Sequence, residues 1–335
     1  MFIRALASIS PQPSFGASSL PAVVEYKCNR LSCIEPDYRD YIDPKMIRRM
    51  SRIIRMGVSA ASACLKNADL PVPDAIVTGT AYGCLEDTGV FLNRMIEFNE
   101  EMLNPTAFIQ STHNTVGAQI ALSVKCYGYN NTFVHRGFSF ESALLDGAML
   151  LRDKEVKNVL VGAADEITDI SFDILNRFGI YREDGVSNLS LIDNPRQGTI
   201  AGEGAAFFLL TDESSTLNAA SIDGTHTFYK PADREEMISE IKSFLQAQSL
   251  AIQDVDLVIN GRNGDLLNDR IYDVVTESIF KQTPQVSYKH LCGEYPTSSA
   301  FALWYATMML KPGKTILIYN HYKNIHHSLM LISAC

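Results

Sequence analysis

Two short segments hold most of the residues able to do chemistry. Asp193, Arg196, Gly198, Gly202, Glu203, Gly204 and Ala205 form one compact pattern, D-x-x-R-x-G-x-x-x-G-E-G-A, which runs into the apolar stretch Ala206-Phe207-Phe208-Leu209-Leu210. Further on, Lys289-His290-Leu291-Cys292-Gly293-Glu294 gathers an ammonium, an imidazole, a thiol and a carboxylate. His321, His326 and His327 are of metal-ligand type, but successive residues on a strand face opposite sides and no fourth ligand stands at a suitable spacing, so no metal site is expected. Gly79-Thr80-Ala81-Tyr82-Gly83 lacks the Gly-Lys-Ser/Thr end of a phosphate loop. No cofactor is expected.

The elements that must carry these residues read as α/β. Ala75–Gly79, Asn158–Gly162 and Leu257–Gly261 are apolar runs ending in Gly, as buried strands do where the backbone turns sharply or approaches something closely. Helices are expected over Ser142–Arg152, Glu235–Ala247 and Ser298–Leu310, the last with Thr297 as N-cap and Pro312-Gly313 as its stop. A further helix covers Val90–Phe98, and Lys45 through Arg48, Arg49, Arg52 and Arg55 reads as one amphipathic helix with a solvated basic face.

Bulk properties narrow the function classes. The 335 residues are 46% hydrophobic and 20% charged, enough to bury a large core. A net charge of -9 argues against a nucleic-acid or anionic-membrane surface, which needs Lys and Arg to neutralise phosphates. No run of about 18 apolar residues occurs, so no membrane insertion is expected. The seven cysteines, Cys28, Cys33, Cys64, Cys84, Cys126, Cys292 and Cys335, form no C-x-x-C pair and read as the reduced thiols of a cytoplasmic protein.

An internal repeat is visible. Asp74–Asp87 parallels Asp256–Asp269 with one deletion, and Thr132–His135 leads into the helix from Ser142 as Gln285–Tyr288 leads into the helix from Ser298. Two similar halves of about 170 residues, stacked on each other, follow from this.

These residues carry a resemblance. The Gly202-Glu203-Gly204-Ala205 signature, with Arg48-Arg49-Met50-Ser51-Arg52 and Asn114-Thr115-Val116-Gly117-Ala118-Gln119-Ile120-Ala121 in support, resembles the β-ketoacyl synthases of the thiolase fold over nearly the whole chain. The resemblance implies a thiolase-like α/β fold of two pseudo-repeated halves, 1–213 and 214–335. Each half would hold a mixed five-stranded sheet, layered α/β/α/β/α in one compact unit. It also implies a Cys nucleophile at the turn before a buried helix and two His in the second half. Counting back from Ala143–Leu151 puts Gly137 at the Cys position; the two His positions fall at Arg262 and Glu294. None of the three can do the family's chemistry: glycine has nothing to acylate, arginine does not exchange protons, and a carboxylate repels an enolate. An Arg262–Glu294 ion pair filling the old pocket is the expectation.

Such a degenerate member resembles a chain length factor, the ketosynthase-like subunit that pairs with an active ketosynthase and shapes the tunnel for the growing chain on an acyl carrier protein. The short chain is similar to subunits of aryl polyene and flexirubin-type pathways. The resemblance then implies that Pro105–Thr112 and the strand Thr132–Arg136 lie near the partner. Phe108 and Thr112 would reach toward its cavity, Met95 would line a tunnel, and Phe138 would plug this chain's own site. Phe108, Thr112, Phe138 and Met95 equally fit ordinary interface or core packing. Two other readings stay open: an acyl-thioester enzyme with relocated groups such as Ser139 or Cys292, and a homodimeric acyl-binding pseudoenzyme.

Overall fold

A computed structural model describes residues 1–335. In chain order the elements are β1 (Phe2–Ile9), β2 (Lys27–Cys28), α1 (Pro44–Ile47), α2 (Arg52–Asn67), β3 (Ala75–Gly79), α3 (Leu85–Glu97), α4 (Pro105–Gln110), α5 (Thr115–Val124), β4 (Tyr129–Phe133), α6 (Ser139–Arg152), β5 (Asn158–Asp165), α7 (Asp169–Arg177) and β6 (Val186–Ser187). Then follow β7 (Gly204–Thr211), β8 (Ala220–Tyr229), α8 (Arg234–Ala247), β9 (Leu257–Asn260), α9 (Arg270–Ser278), β10 (Gln285–Ser287), α10 (Lys289–Cys292), α11 (Ser298–Met309), β11 (Thr315–Tyr322) and β12 (His326–Ser333).

The strand order is β10-β9-β11-β12-β8-β1-β7-β5-β3-β4. It divides into two sets of five joined through β1 and β8, which pair only at Phe2–Ser221 and Ile3–Ala220. Within each set the pattern is the same. β3 lies parallel between β4 and β5, and β7 and β1 follow antiparallel; β9 lies parallel between β10 and β11, and β12 and β8 follow antiparallel. The repeat expected from Asp74–Asp87 and Asp256–Asp269 therefore falls on equivalent strands, β3 and β9.

Alternation along the strands builds the layers. On β7, Ala206, Phe208 and Leu210 pack into the core that holds Leu144 of α6 and Phe301, Leu303 and Trp304 of α11. Ala205, Phe207 and Leu209 face the other way, onto Ile53, Ile54 and Val58 of α2 and Val116 and Ile120 of α5. β11 mirrors this: Ile316 and Ile318 join the central core, while Leu317 and Tyr319 pack with Ile241 of α8 and Tyr272 of α9. A period of two on each strand thus gives helices, sheet, helices, sheet, helices, the expected five layers. Fully buried apolar side chains in such a core contribute about 1.5–3 kcal/mol each, so Trp304→Ala should cost about 3–5 kcal/mol.

Four expectations are corrected. The basic run is not one helix: Asp43 caps α1 through the Lys45 N–H (2.8 Å) with Pro44 at the first position, and extended Ser51 breaks the chain before α2. Thr297 holds the N-cap position of α11 as expected but makes no capping hydrogen bond, because its hydroxyl donates to buried Asp165 instead (2.7 Å). Gly162 does not end its strand; β5 continues to Asp165 and Gly162 lies opposite Phe207, whose ring occupies the space a Cβ would need. The strand expected over Thr132–Arg136 ends at Phe133, and Arg136–Phe138 forms a 3₁₀ turn into α6.

Candidate functional site

The glycine-rich signature ties the halves together. Gly202 lies where a Cβ would run into the Cys292 carbonyl and Gly293, so only glycine lets the two loops cross. Its N–H donates to the Glu294 carbonyl (3.1 Å), and the Glu294 N–H donates to the Ile200 carbonyl (2.9 Å). Glu203, fully buried, takes both Nη atoms of Arg52 (2.6 Å each) and the N–H groups of Cys33 (3.0 Å) and Ile167 (3.2 Å). Asp265 accepts from the Gly198 N–H (2.5 Å), again across the halves. The motif is a clamp, and it sets Glu294 at the centre of the molecule.

At that centre Lys289 Nζ donates to both carboxylate oxygens of Glu294 (2.8 and 3.0 Å) and to the His321 carbonyl (3.0 Å). Lys289 is 1% and Glu294 4% exposed. Asn263 adds Nδ2 to Glu294 Oε2 (2.6 Å). Every ammonium proton is used, and the carboxylate is neutralised in place. A buried pair of this kind stands because each ion compensates the other's desolvation.

The expected Arg262–Glu294 ion pair is absent. Arg262 turns outward, its Nη2 2.5 Å from Asp273 of α9 and its guanidinium 5.9 Å over the Tyr272 ring. The residue that meets Glu294 is Arg262's neighbour Asn263, and the cation is Lys289 of α10, the short helix that ends just before Glu294. A partner five residues away costs less to position than one that must abandon an exposed carboxylate.

Gly137 lies in the 3₁₀ turn, and a Cβ there would stand 2.7 Å from Tyr322 Cβ and 3.0 Å from His326 Cβ. Tyr322 is buried, and its hydroxyl is 3.4 Å from that of Tyr82. Burial, with Tyr82, Tyr181 and Glu294 nearby, pushes its phenol well above the usual range. Phe138 packs edge-on against His326 (4.7 Å) and His135 (5.5 Å). Ser139 opens α6, but its hydroxyl donates to the Arg136 carbonyl (2.8 Å) and accepts the His135 N–H (2.8 Å). Burial pushes the Cys292 thiol well up, away from the thiolate that a nucleophile needs.

The histidines are tied into packing. His321 Nδ1 accepts the Asn324 N–H (3.2 Å) and Nε2 faces the Asn268 carbonyl (3.0 Å), which fixes the Nε2–H tautomer. Burial lowers its pKa well below the ordinary value and takes that of His327 down to about 4, so both rings are neutral. His326 faces Phe138, on the other side of β12 from His327, which stacks on Phe228 (4.9 Å).

Met95, Phe108 and Thr112 lie away from this centre. Phe108 of α4 is 56% exposed and touches Phe91 of α3 (5.3 Å between rings). Thr112 shares a hydroxyl hydrogen bond with Thr115 (2.9 Å), and Met95 is half-buried on α3. With exposed Val90, Leu92, Ile96 and Ile109 they form an apolar surface, and β4 ends the sheet with a free edge. Of the basic run, Arg52 is bound to Glu203 and Glu35 and Arg55 lies 5.5 Å over Tyr38; Lys45, Arg48 and Arg49 remain exposed, and Lys45 and Arg49 line a cavity of about 550 Å³ with Met46, Met50, Ile109 and Leu122.

Reading from the sequence singled out Lys289 without its role as partner of Glu294, and missed Asn263, Tyr82, Tyr181 and Tyr322. The K-x-x-x-G-x spacing carries Lys289; the tyrosines leave no local signal because three distant segments bring them together.

Comparison with known proteins shows what this chain is similar to. Residues 32–177 match the family model of the β-ketoacyl synthase N-terminal domain. No curated protein sequence matches the chain. Among solved structures, the ishigamide ketosynthase/chain length factor superposes with a TM-score of 0.83 at 16% identity, covering 100% of this chain and 98% of that one. A β-ketoacyl synthase from Burkholderia phymatum gives 0.77 at 15%, covering 100% and 99%. The ketosynthase ApeO in complex with its chain length factor ApeC from Xenorhabdus doucetiae gives 0.76 at 15%, covering 100% and 98%. The fold is that of the ketosynthases, thiolase-like throughout. No helix is long and apolar enough to cross a membrane.

Proposed function

We propose that this chain is a non-catalytic, chain length factor-like subunit. It pairs with an active ketosynthase and shapes the tunnel in which an acyl or polyene chain is extended on an acyl carrier protein. The observation that carries the reading is the buried Lys289–Glu294 pair closed by Asn263. Decarboxylative condensation uses a nucleophile and neutral hydrogen-bond donors to an enolate. Here the carboxylate repels that charge, the ammonium is spent on the carboxylate, and Tyr322 and His326 crowd Gly137. Gly137, Arg262 and Glu294 are, in this reading, the three vacated catalytic positions, and Phe138 helps fill the space. We take 1–213 and 214–335 as the two halves of one unit.

Pairing is supported by the exposed apolar residues of α3 and α4, Val90, Leu92, Ile96, Phe108 and Ile109, and by the free edge of β4. Phe108, Thr112 and Met95 are assigned to that interface and to the tunnel crossing it. Lys45, Arg48 and Arg49 suit the acidic surface of a carrier protein approaching the complex. The ketosynthase–chain length factor complex among the structural neighbours is consistent with such a partner.

The test is recovery of the tagged chain from its native host with mass spectrometric identification of what accompanies it in equal amount. A ketosynthase that retains Cys, His and His is the expected companion. Recovery as a homodimer alone overturns the pairing.

A further inference from the structure

One carboxylate in the interior takes no part in the contacts described so far. Glu141, in the first turn of α6, is 1% exposed. Ser299, in the first turn of α11, and Ser328, on β12, are 0% and 1% exposed, and they are the side chains that act most on it. Neither hydroxyl completes a hydrogen bond to the carboxylate. Glu141 Oε1 and Oε2, Ser299 Oγ and Ser328 Oγ are therefore buried oxygens without a partner. Their chain neighbours Phe140 and Ala300 belong to the central apolar core.

A carboxylate in such a place must be neutralised, and no side chain does it. The one basic group among those acting on Glu141 is Lys289. Its three protons go to Glu294 and the His321 carbonyl, so it is already neutralised there. A proton on Glu141 is the other route, and burial favours it. The two hydroxyls and the dipole at the start of α6 favour the ionised form.

The set of oxygens decides between a proton and an ion. A proton occupies one oxygen and leaves the others as they were, whereas an ion between the three side chains takes lone pairs from all of them. The set carries a single negative charge, which matches a monovalent cation. A divalent ion would leave a net positive charge in the core and takes more oxygen ligands than these. Oxygen donors without nitrogen or sulfur exclude the softer metals.

We propose that Glu141, Ser299 and Ser328 bind a monovalent alkali cation, sodium or potassium, inside the fold. The ion joins α6, which begins beside the crowded Gly137 turn, to α11 and β12 of the second half. It enters as the chain folds, because all three side chains are buried. The inference goes beyond the subunit reading and holds with or without a partner.

The experiment is urea unfolding of the full-length chain in sodium, potassium or choline chloride at equal ionic strength, for the wild type and Glu141→Gln. A ligand held only by the folded state raises the folding constant, and the wild type should show an increase of about tenfold in sodium or potassium over choline. Glu141→Gln should not distinguish the three salts. Equal wild-type midpoints in all three overturn the inference and leave Glu141 protonated. The same salt preference in Glu141→Gln puts the ion elsewhere and also overturns it. If Glu141→Gln does not fold, crystals of the wild type grown in rubidium chloride replace it. An anomalous peak between Glu141, Ser299 and Ser328 is then the expected result, and a map without one overturns the inference.

Discussion

Lys289 opens α10, Glu294 follows that helix across Gly293, and the two close on each other, Nζ within 3.0 Å of both carboxylate oxygens, in the middle of the molecule. Glu294→Ala leaves Lys289 buried without a counter-charge and should lower stability by about 3–5 kcal/mol. Replacing both by methionine should cost clearly less than the sum of the single changes. Urea unfolding of the two single variants and the double variant measures this coupling.

A thiol placed at Gly137 should not create a reactive site. Gly137→Cys drives its Cβ into Tyr322 and His326 and should destabilise by about 1–3 kcal/mol, as overpacking does. Intact-protein mass after incubation with an acyl thioester should show no acyl adduct on the variant.

Stability should depend on pH through Glu166. Burial among acids raises its carboxyl to about 7, against roughly 4.3 when unfolded. The folded state then holds the proton more tightly, so stability is greatest below the unfolded value and falls as pH rises toward 7, by at most on the order of 3 kcal/mol. Asp269, raised by burial to about 6, acts in the same direction over a lower window. Urea midpoints from pH 4.5 to 8 should fall for the wild type and fall less for Glu166→Gln.

The α3–α4 surface should matter for association and little for folding. Phe108→Asp and Ile109→Asp sit on exposed positions and should change the isolated chain's stability by no more than about 0.5 kcal/mol. Each should abolish recovery of the companion subunit, read as its ratio to this chain after purification.

The layered fold was legible because alternation on β7 and β11 and the repeated strands β3 and β9 are local patterns. The loop that brings Gly202 against Glu294 was marked by the spacing of Gly202–Ala205 and Lys289–Glu294. What the spacing could not carry was direction. Arg262 and Asn263 are neighbours, and only the path of the loop after β9 decides that Asn263 turns inward while Arg262 meets Asp273. Thr297 stands at the N-cap of α11 as its type suggested, but Asp165, from the other half, claims its hydroxyl. Tyr82, Tyr181 and Tyr322 converge from three segments, so no window of sequence contains them. The basic run read as one helix because its apolar spacing is helical on both sides of Ser51; tertiary demand for Arg52 at Glu203 broke it there.

The central claim is that this chain contributes shape and not chemistry to an elongating complex. The most direct test is chain elongation by the isolated complex, with malonyl-loaded carrier protein, comparing Ser139→Ala and Cys292→Ala in this chain with replacement of the companion's own cysteine. The account predicts wild-type turnover for the first two variants and none for the third. Loss of turnover with Ser139→Ala or Cys292→Ala in a complex that still assembles would contradict it.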